Sequence, residues 1–196
     1  MKRLFDILAS GLGLLVLSPL FLILALWIPL DSPGPVFYRQ TRVGRGGRDF
    51  RIFKFRTMRV GADKGSLVTI GGRDPRVTRA GNFLRRCKLD ELPQLINVLT
   101  GDMSLVGPRP EVRKYVDLYT PEQLHVLDVR PGMTGAASIK YRNESELLGQ
   151  VADPEDYYIH VIMPDKLALN LDYVRNHGVW GDIKLILKTI GAIVAR

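Results

Sequence analysis

The chain opens on an apolar run: no charged residue lies between Ile7 and Leu30, and Asp6 and Asp31 bracket the stretch. As one helix its roughly 24 residues would reach about 36 Å, enough to cross a hydrocarbon core of about 30 Å. Ser18-Pro19 falls in the middle. Pro19 has no N–H to give and its ring crowds the Leu15 carbonyl, so the pattern predicts a kink there. The Ser18 hydroxyl can turn to the Leu14 carbonyl, which eases the break in lipid. The turn cluster Asp31-Ser32-Pro33-Gly34-Pro35 then ends the run. Beyond it, residues 36–43 and 50–58 flank Gly44-Arg45-Gly46-Gly47 and read as a β-hairpin. Leu92, Leu95, Ile96 and Leu99 fall at helical spacing, closed by Thr100-Gly101. Short helices are predicted after Pro110 and after Thr120-Pro121-Glu122, with Thr120 as N-cap. Ile183, Ile186, Leu187, Ile190, Ile193 and Val194 share one face of a C-terminal helix, with Lys184, Lys188 and Arg196 elsewhere. Such a helix either lies in a membrane interface or packs on the core, packing being the commoner fate.

Charge changes the reading of the first segment. Lys2 and Arg3 precede the apolar run, and Arg39, Arg42, Arg45 and Arg48 follow it. The positive-inside rule wants both ends in the cytoplasm, which favours a broken helix returning to its own side over a kinked single span. The break would be at Ser18 and Pro19. A cleaved signal peptide is disfavoured, because no small-x-small site follows the run. The expected organisation is a re-entrant membrane hairpin over residues 1–35 and a cytosolic-face domain over 36–196, ending in the amphipathic helix.

Composition adds bounds. With 46% hydrophobic residues in 196 the chain can bury a core, and a net charge of +8 asks for anionic partners: nucleic acid, phosphorylated small molecules or lipid heads. The single cysteine, Cys87, excludes an internal disulfide framework and any multi-cysteine zinc site. Basic residues recur at 39, 42, 45, 48, 51 and 54. The earlier ones read as a solvated face against anionic lipid heads; Lys54 and Arg56, between Phe53 and Phe55, read as phosphate ligands. The glycine-rich stretch 61–74 contains no P-loop pattern, and His125, His160 and His177 show no metal-ligand spacing.

The strongest chemical candidate is Arg85-Arg86-Cys87-Lys88-Leu89-Asp90-Glu91-Leu92-Pro93. Adjacent carboxylates before a helix, with proline in its first turn, are also ordinary helix-start grammar, Asp90 as N-cap and Glu91 against the dipole. The surrounding cations tip the balance: Arg85, Arg86 and Lys88 precede the pair, and Arg109 follows in Gly107-Pro108-Arg109-Pro110. Carboxylates among cations suit chemistry on a phosphate-bearing substrate, one attacking or taking a proton while the other holds Mg²⁺.

At these residues the chain resembles the bacterial sugar transferases known as monotopic phosphoglycosyl transferases. The resemblance rests on the basic start, Ser18-Pro19, Lys54-Phe55-Arg56-Thr57-Met58, Leu89-Asp90-Glu91-Leu92-Pro93-Gln94-Leu95, Gly107-Pro108-Arg109-Pro110, Arg130-Pro131-Gly132-Met133-Thr134-Gly135 and Asp172-Tyr173, in that order. It implies the small form of the family, reduced to the catalytic core. The implied fold is α+β: a re-entrant helix-break-helix hairpin, then a mainly helical catalytic domain with a small β-hairpin and amphipathic interfacial helices. The implied reaction moves a phospho-sugar from a UDP-sugar to a polyprenol phosphate such as undecaprenyl phosphate, releasing UMP, as the first membrane step of glycoconjugate synthesis. By motif position, Asp90 would be the nucleophile and Glu91 the Mg²⁺ ligand. Lys54, Arg85, Arg109 and Arg142 would hold phosphates, and Asp172 would support the site. The implied location is the cytosolic face of the bacterial inner membrane, among membrane lipid, with a homodimer left open and no nucleic acid partner. Two other readings stay open on the residues alone: a non-catalytic membrane-surface scaffold, and a tethered nucleic-acid binder resting only on charge.

Overall fold

A computed structural model of the chain describes residues 1–62 and 74–194, with side chains through Ala192. Most of the glycine-rich stretch, the Ile193 and Val194 side chains of the predicted amphipathic face, and Arg196 lie outside these described residues. The apolar run forms a single helix, α1 (Lys2–Asp31), which continues through Pro19 and Pro29. It is long and apolar enough to cross a membrane. The Ser18 hydroxyl donates to the Leu15 carbonyl at 2.8 Å. That differs from the Leu14 partner expected from sequence, and for a physical reason: Leu15 is the residue whose carbonyl Pro19, lacking an N–H, leaves unpaired.

The faces of α1 differ sharply. Leu8, Leu12, Leu15, Leu22, Leu26 and Leu30 are exposed, whereas Asp6, Ser10, Leu24 and Ile28 are buried. Both ends are fastened to the same globular body. The Leu105 N–H donates to the buried Asp6 carboxylate at 3.1 Å, and the Ala80 N–H donates to Asp31 at 2.9 Å. Lys2 donates to Asp182, to the Tyr173 hydroxyl and to the Val106 carbonyl. Arg3 donates to the Val98 and Leu99 carbonyls. Asp31 and Thr78, whose hydroxyl accepts from the Gly81 N–H at 3.0 Å, together satisfy the first turn of α2 (Arg79–Arg86).

The hairpin forms as read: β1 (Phe37–Val43) pairs antiparallel with β2 (Asp49–Phe55), Phe37 opposite Phe55 and Val43 opposite Asp49. The second strand is shorter than predicted, and Met58 instead makes an isolated bridge to Val77. Leu24 and Ile28 of α1 pack with Phe55 and Leu84, so the hairpin and α2 sit against the end of the apolar helix. Arg56 belongs to this junction. Its guanidinium donates to the Ser32, Pro33 and Pro35 carbonyls and the Ser32 hydroxyl, and it is 5% exposed. The expected phosphate ligand is a pin for the turn after α1.

After α2 the chain makes a 3-10 turn, Leu89–Glu91, and enters α3 (Gln94–Thr100), ended by Gly101 at φ +102. Asn97 of α3 stitches it to the free edge of β2: its amide accepts from the Phe53 N–H at 2.8 Å and donates to the Arg51 carbonyl at 2.9 Å. Those bonds satisfy edge groups that would otherwise be orphaned. Strand β3 (Ser104–Val106) follows, then α4 (Arg113–Val116). The helix predicted after Thr120 is a 3-10 helix, Gln123–Asp128. Thr120 does cap it, exchanging hydrogen bonds with Gln123 in a capping box, but the segment is short and Pro131 drives the backbone extended before an α-helix can develop.

Strand β4 (Gly132–Thr134) pairs in parallel with β3. A Cβ on Gly132 would stand 2.0 Å from the Gly107 nitrogen, so the two motif glycines permit the backbone approach that aims the Arg109 loop. The remainder is helical: α5 (Ala136–Lys140), α6 (Glu144–Leu148), and α7 (Pro154–Tyr157), which runs through a π-turn at Tyr158–Ile162 into α8 (Met163–Asn176). The last element is α9 (Val179–Val194). Tyr115, Val126, Leu148, Tyr158, Ile162, Met163 and Leu167 form the core of this half.

Candidate active site

A cleft of about 850 Å³ opens between these elements, and six of the seven charged residues given a role by the family resemblance line it. Lys54 arrives on β2, Asp90 and Glu91 on the 3-10 turn, Arg85 on α2, Arg109 on the loop after β3, and Arg142 on the turn before α6. Asp172 lies apart. It is exposed on α8, where the Asn176 amide donates to it at 2.9 Å, and its neighbour Tyr173 is the residue that works structurally, in the Lys2–Asp182 cluster.

Asp90 does not cap α3; the N-cap position falls to Pro93. The helix-start reading of the carboxylate pair is therefore not what the fold uses. Immediately before the turn, Lys88 sits at φ 56, the one positive-φ residue other than glycine among the described residues. Holding a side-chain-bearing residue in the left-handed region costs about 1 kcal/mol or more, a strain commonly found at functional sites.

The two carboxylates experience opposite environments. Glu91 is clamped: Lys54 Nζ lies 3.1 Å from Oε1, and Arg109 bonds both oxygens, Nη1 to Oε2 at 3.0 Å and Nη2 to Oε1. Burial alone would raise its carboxyl, but Arg109 and Lys54 outweigh burial and hold it far below the usual range. Asp90 accepts no hydrogen bond and forms no ion pair among the described residues. Burial, and then the adjacent Glu91 charge, push its carboxyl upward, with Lys54, Arg85 and Lys88 opposing. Lys54 is lowered by burial against the pull of Glu91, and Arg109 is raised by Glu91 despite burial. Neighbouring acids driven apart in this way mark distinct roles, one neutralised and one left available. Arg85 spends one N–H on the Thr57 hydroxyl at 2.9 Å, and Arg142 reaches the Ala192 carbonyl at 3.5 Å.

The donor set for a divalent cation is this carboxylate pair; no group of three metal-ligating side chains occurs among the described residues. Mg²⁺ is commonly held by one or two carboxylates together with substrate phosphates and water, so the residues fit a cation that arrives with a phosphate ligand, provided the phosphates draw Lys54 or Arg109 off Glu91.

Sequence reading missed part of the lining. Arg42, taken for a lipid-facing arginine, is half-buried; it donates to the Pro110 carbonyl at 3.1 Å and lies 3.5 Å from Glu111. Glu111 in turn accepts from the Tyr158 hydroxyl at 2.6 Å and from Lys166. Glu111 directly follows the Gly-Pro-Arg-Pro segment, a signal that was available; Lys166 and Tyr158 sit on a helix with nothing in their spacing to mark them. Apolar side chains also line the cleft: Phe5 and Ala9 of α1, Leu95, Met133, and Ile186 and Ile190 of α9.

The sequence profile of the bacterial sugar transferase family matches residues 1–196. The chain is 40% identical over 196 residues to a UDP-glucose:undecaprenyl-phosphate glucose-1-phosphate transferase of Caulobacter vibrioides, covering 98% of this chain and 69% of that relative. It is 41% identical over 98% of its length to a UDP-N-acetylgalactosamine-undecaprenyl-phosphate N-acetylgalactosaminephosphotransferase of Aeromonas hydrophila, of which it spans 43%. The exopolysaccharide production protein ExoY of Rhizobium meliloti is 36% identical over 98% of the chain and 84% of its own length.

Proposed function

The chain belongs to the bacterial sugar transferase family, and from that membership we propose that it is a membrane-bound phosphoglycosyl transferase acting through a covalent aspartyl intermediate. The donor is a UDP-sugar and the acceptor a polyprenol phosphate, the substrate pair in the names of its relatives. The observation that carries the reading is Asp90, an unpartnered carboxylate in a cationic cleft, beside a Glu91 already neutralised by Lys54 and Arg109.

In the first step an Asp90 oxygen attacks the β-phosphorus of the donor, an O–P bond forms, and the bond to the departing UMP oxygen breaks with its electron pair. In the second, an oxygen of the lipid phosphate attacks the same phosphorus and the aspartyl O–P bond breaks, restoring the carboxylate. Splitting the displacement means that the two anionic substrates need not meet in one transition state. Lys54, Arg85, Arg109 and Arg142 offset phosphate charge. Glu91 would hold Mg²⁺, which when bound supplies further positive charge to the diphosphate.

The acceptor cannot leave the bilayer, so the cleft must lie at its surface. We place α1 as a one-sided, re-entrant anchor bent at Ser18-Pro19, with the globular domain on the cytosolic face. The support is the attachment of both ends of α1 to one body, through Lys2, Arg3 and Asp6 at the start and Asp31 at the end. A straight span of 30 residues would carry one end about 45 Å from the other. The apolar lining from α1 and α9 suits an isoprenoid in a cleft that also carries cations.

Purified protein in detergent or nanodiscs with Mg²⁺, undecaprenyl phosphate and a panel of UDP-sugars should release UMP with at least one donor. Asp90→Asn should reduce release by 10³-fold or more while staying in the membrane fraction. Full activity of Asp90→Asn, or UMP release by neither protein, contradicts the proposal.

A further inference from the structure

Two of the cleft arginines are held very differently. Arg109 is fastened through both oxygens of Glu91, whereas Arg142 is exposed and reaches only the Ala192 carbonyl, at 3.5 Å, among the described residues. A long, exposed side chain with so little hold can place a phosphate only if the backbone that carries it is fixed.

That backbone is fixed by two consecutive residues of α8. Before Arg142, Asp165 accepts from the Tyr141 hydroxyl at 2.7 Å and from Lys140 at 2.7 Å. After it, Glu144 accepts from Lys166 at 3.0 Å. The Lys140 pair is exposed and contributes little. Lys166 is 8% exposed, so water cannot readily take over its bonds.

Lys166 also reaches the loop of the other arginine. Its Nζ lies 3.4 Å from Glu111, two residues beyond Arg109. Glu111 accepts from the Tyr158 hydroxyl at 2.6 Å and lies 3.5 Å from Arg42. Its main-chain carbonyl accepts from the Val43 N–H at 2.9 Å, and Arg42 donates to the Pro110 carbonyl at 3.1 Å. The Arg109 loop is therefore seated on β1 and on α8 at once. Burial would raise the Glu111 carboxyl, but Lys166 and Arg42 hold it below its ordinary value. Within this network Arg42 and Lys166 balance Glu111 and Glu144, so Lys166 brings no spare charge to a phosphate, while Arg142 stands outside the balance. A buried cation between two carboxylates adds little to stability, because desolvation offsets the attraction; its better-attested use is to fix one arrangement.

We propose that Lys166 is a positioning residue. By bridging Glu111 and Glu144 it sets the spacing between Arg109 and Arg142, and with it the spacing at which their guanidinium groups meet the donor diphosphate. The assignment rests on the phosphate roles proposed above for these two arginines.

The test is a double-mutant cycle on UDP binding, separate from turnover. Lys166→Met alone would strip Glu144 of its partner, so Lys166→Met is combined with Glu144→Gln, which leaves Arg42 opposite Glu111 and no odd charge. Calorimetric dissociation constants for UDP with Mg²⁺ are measured on the full chain in detergent: wild type, this pair variant, Arg142→Ala, and all three changes together. The pair variant should keep its thermal midpoint to within about 3 °C and bind UDP about tenfold more weakly. The triple variant should bind within about twofold of Arg142→Ala, because the bridge acts through Arg142. Losses that multiply would mean that Lys166 meets phosphate independently or only supports the fold. Unchanged UDP binding in the pair variant, a pair variant without a folding transition, or a wild type that does not bind UDP would each remove the positioning role. Any of these overturns the proposal. The expected binding pattern without UMP release from any UDP-sugar counts against the transferase reading alone.

Discussion

Asp90 and Glu91 are neighbours in sequence and opposites in chemistry, and pH separates them. The Asp90 carboxyl is raised by burial and by Glu91, so the attacking carboxylate forms at a higher pH than the ordinary aspartate value of about 3.9. The acid limb of phosphosugar transfer should therefore lie above that value, and Glu91→Gln, which removes the like charge, should move it down. A limb that stays put in Glu91→Gln would contradict the assignment. Stability carries the reverse signs. The folded Glu91 carboxyl is depressed, so its contribution is present above the unfolded value of about 4.3 and is lost as pH falls through the folded one. The folded Asp90 carboxyl is raised, so stability is lost as pH climbs from about 3.9 through the folded value. At neutral pH, then, Asp90→Asn should raise the thermal midpoint, whereas Arg109→Ala should lower stability by about 2–3 kcal/mol by stripping Glu91 of its bidentate partner. At this scale the sequence identified Lys54, Glu91 and Arg109 as a group. Residue type alone could not separate Lys54 from Arg56, because the two flank Phe55; only the α1–β1 turn shows that Arg56 is spent on carbonyls.

Among elements, the hairpin, α3 and α9 were legible because periodicity and punctuation agree in each, with Gly101 ending α3 and a glycine-rich turn joining the strands. The parallel pairing of β3 and β4 was not. Each strand has three residues, too few for a period, and their contact depends on Gly107 and Gly132 meeting across the chain. Charge predicts both ends of α1 on one side of a membrane, but not their attachment to the domain. Asp6 and Asp31 bracket the run in sequence, yet their purpose is to accept backbone N–H groups of β3 and α2. The one-sided placement can be checked with a cysteine in an N-terminal tag, in a Cys87→Ser background. In intact cells a membrane-impermeant maleimide should leave it unlabelled, and permeabilisation should expose it; labelling in intact cells would mean that the helix spans.

For the molecule as a whole, the cleft brings together the two kinds of surface that the proposed substrates would need. The cleft is lined by cationic and polar side chains and by apolar ones from α1 and α9, and α1 turns a leucine-rich face outward along its length. Exposed apolar surface of that extent marks contact with something apolar, and the same helix lines the cleft through Phe5 and Ala9. Composition and charge predict an anionic partner and a membrane. They do not predict that the start of α1 would line the cleft, since Phe5 and Ala9 reach it only through the packing of α1 on the domain. The central claim is that Asp90 carries the phosphosugar between donor and acceptor, and intact-protein mass spectrometry tests it most directly. With a competent UDP-sugar and Mg²⁺, and without lipid acceptor, the protein should release UMP and gain the mass of one phosphosugar on the peptide containing Asp90, and Asp90→Asn should gain none. Measurable turnover in the presence of lipid, with no adduct from any donor in its absence, would contradict it.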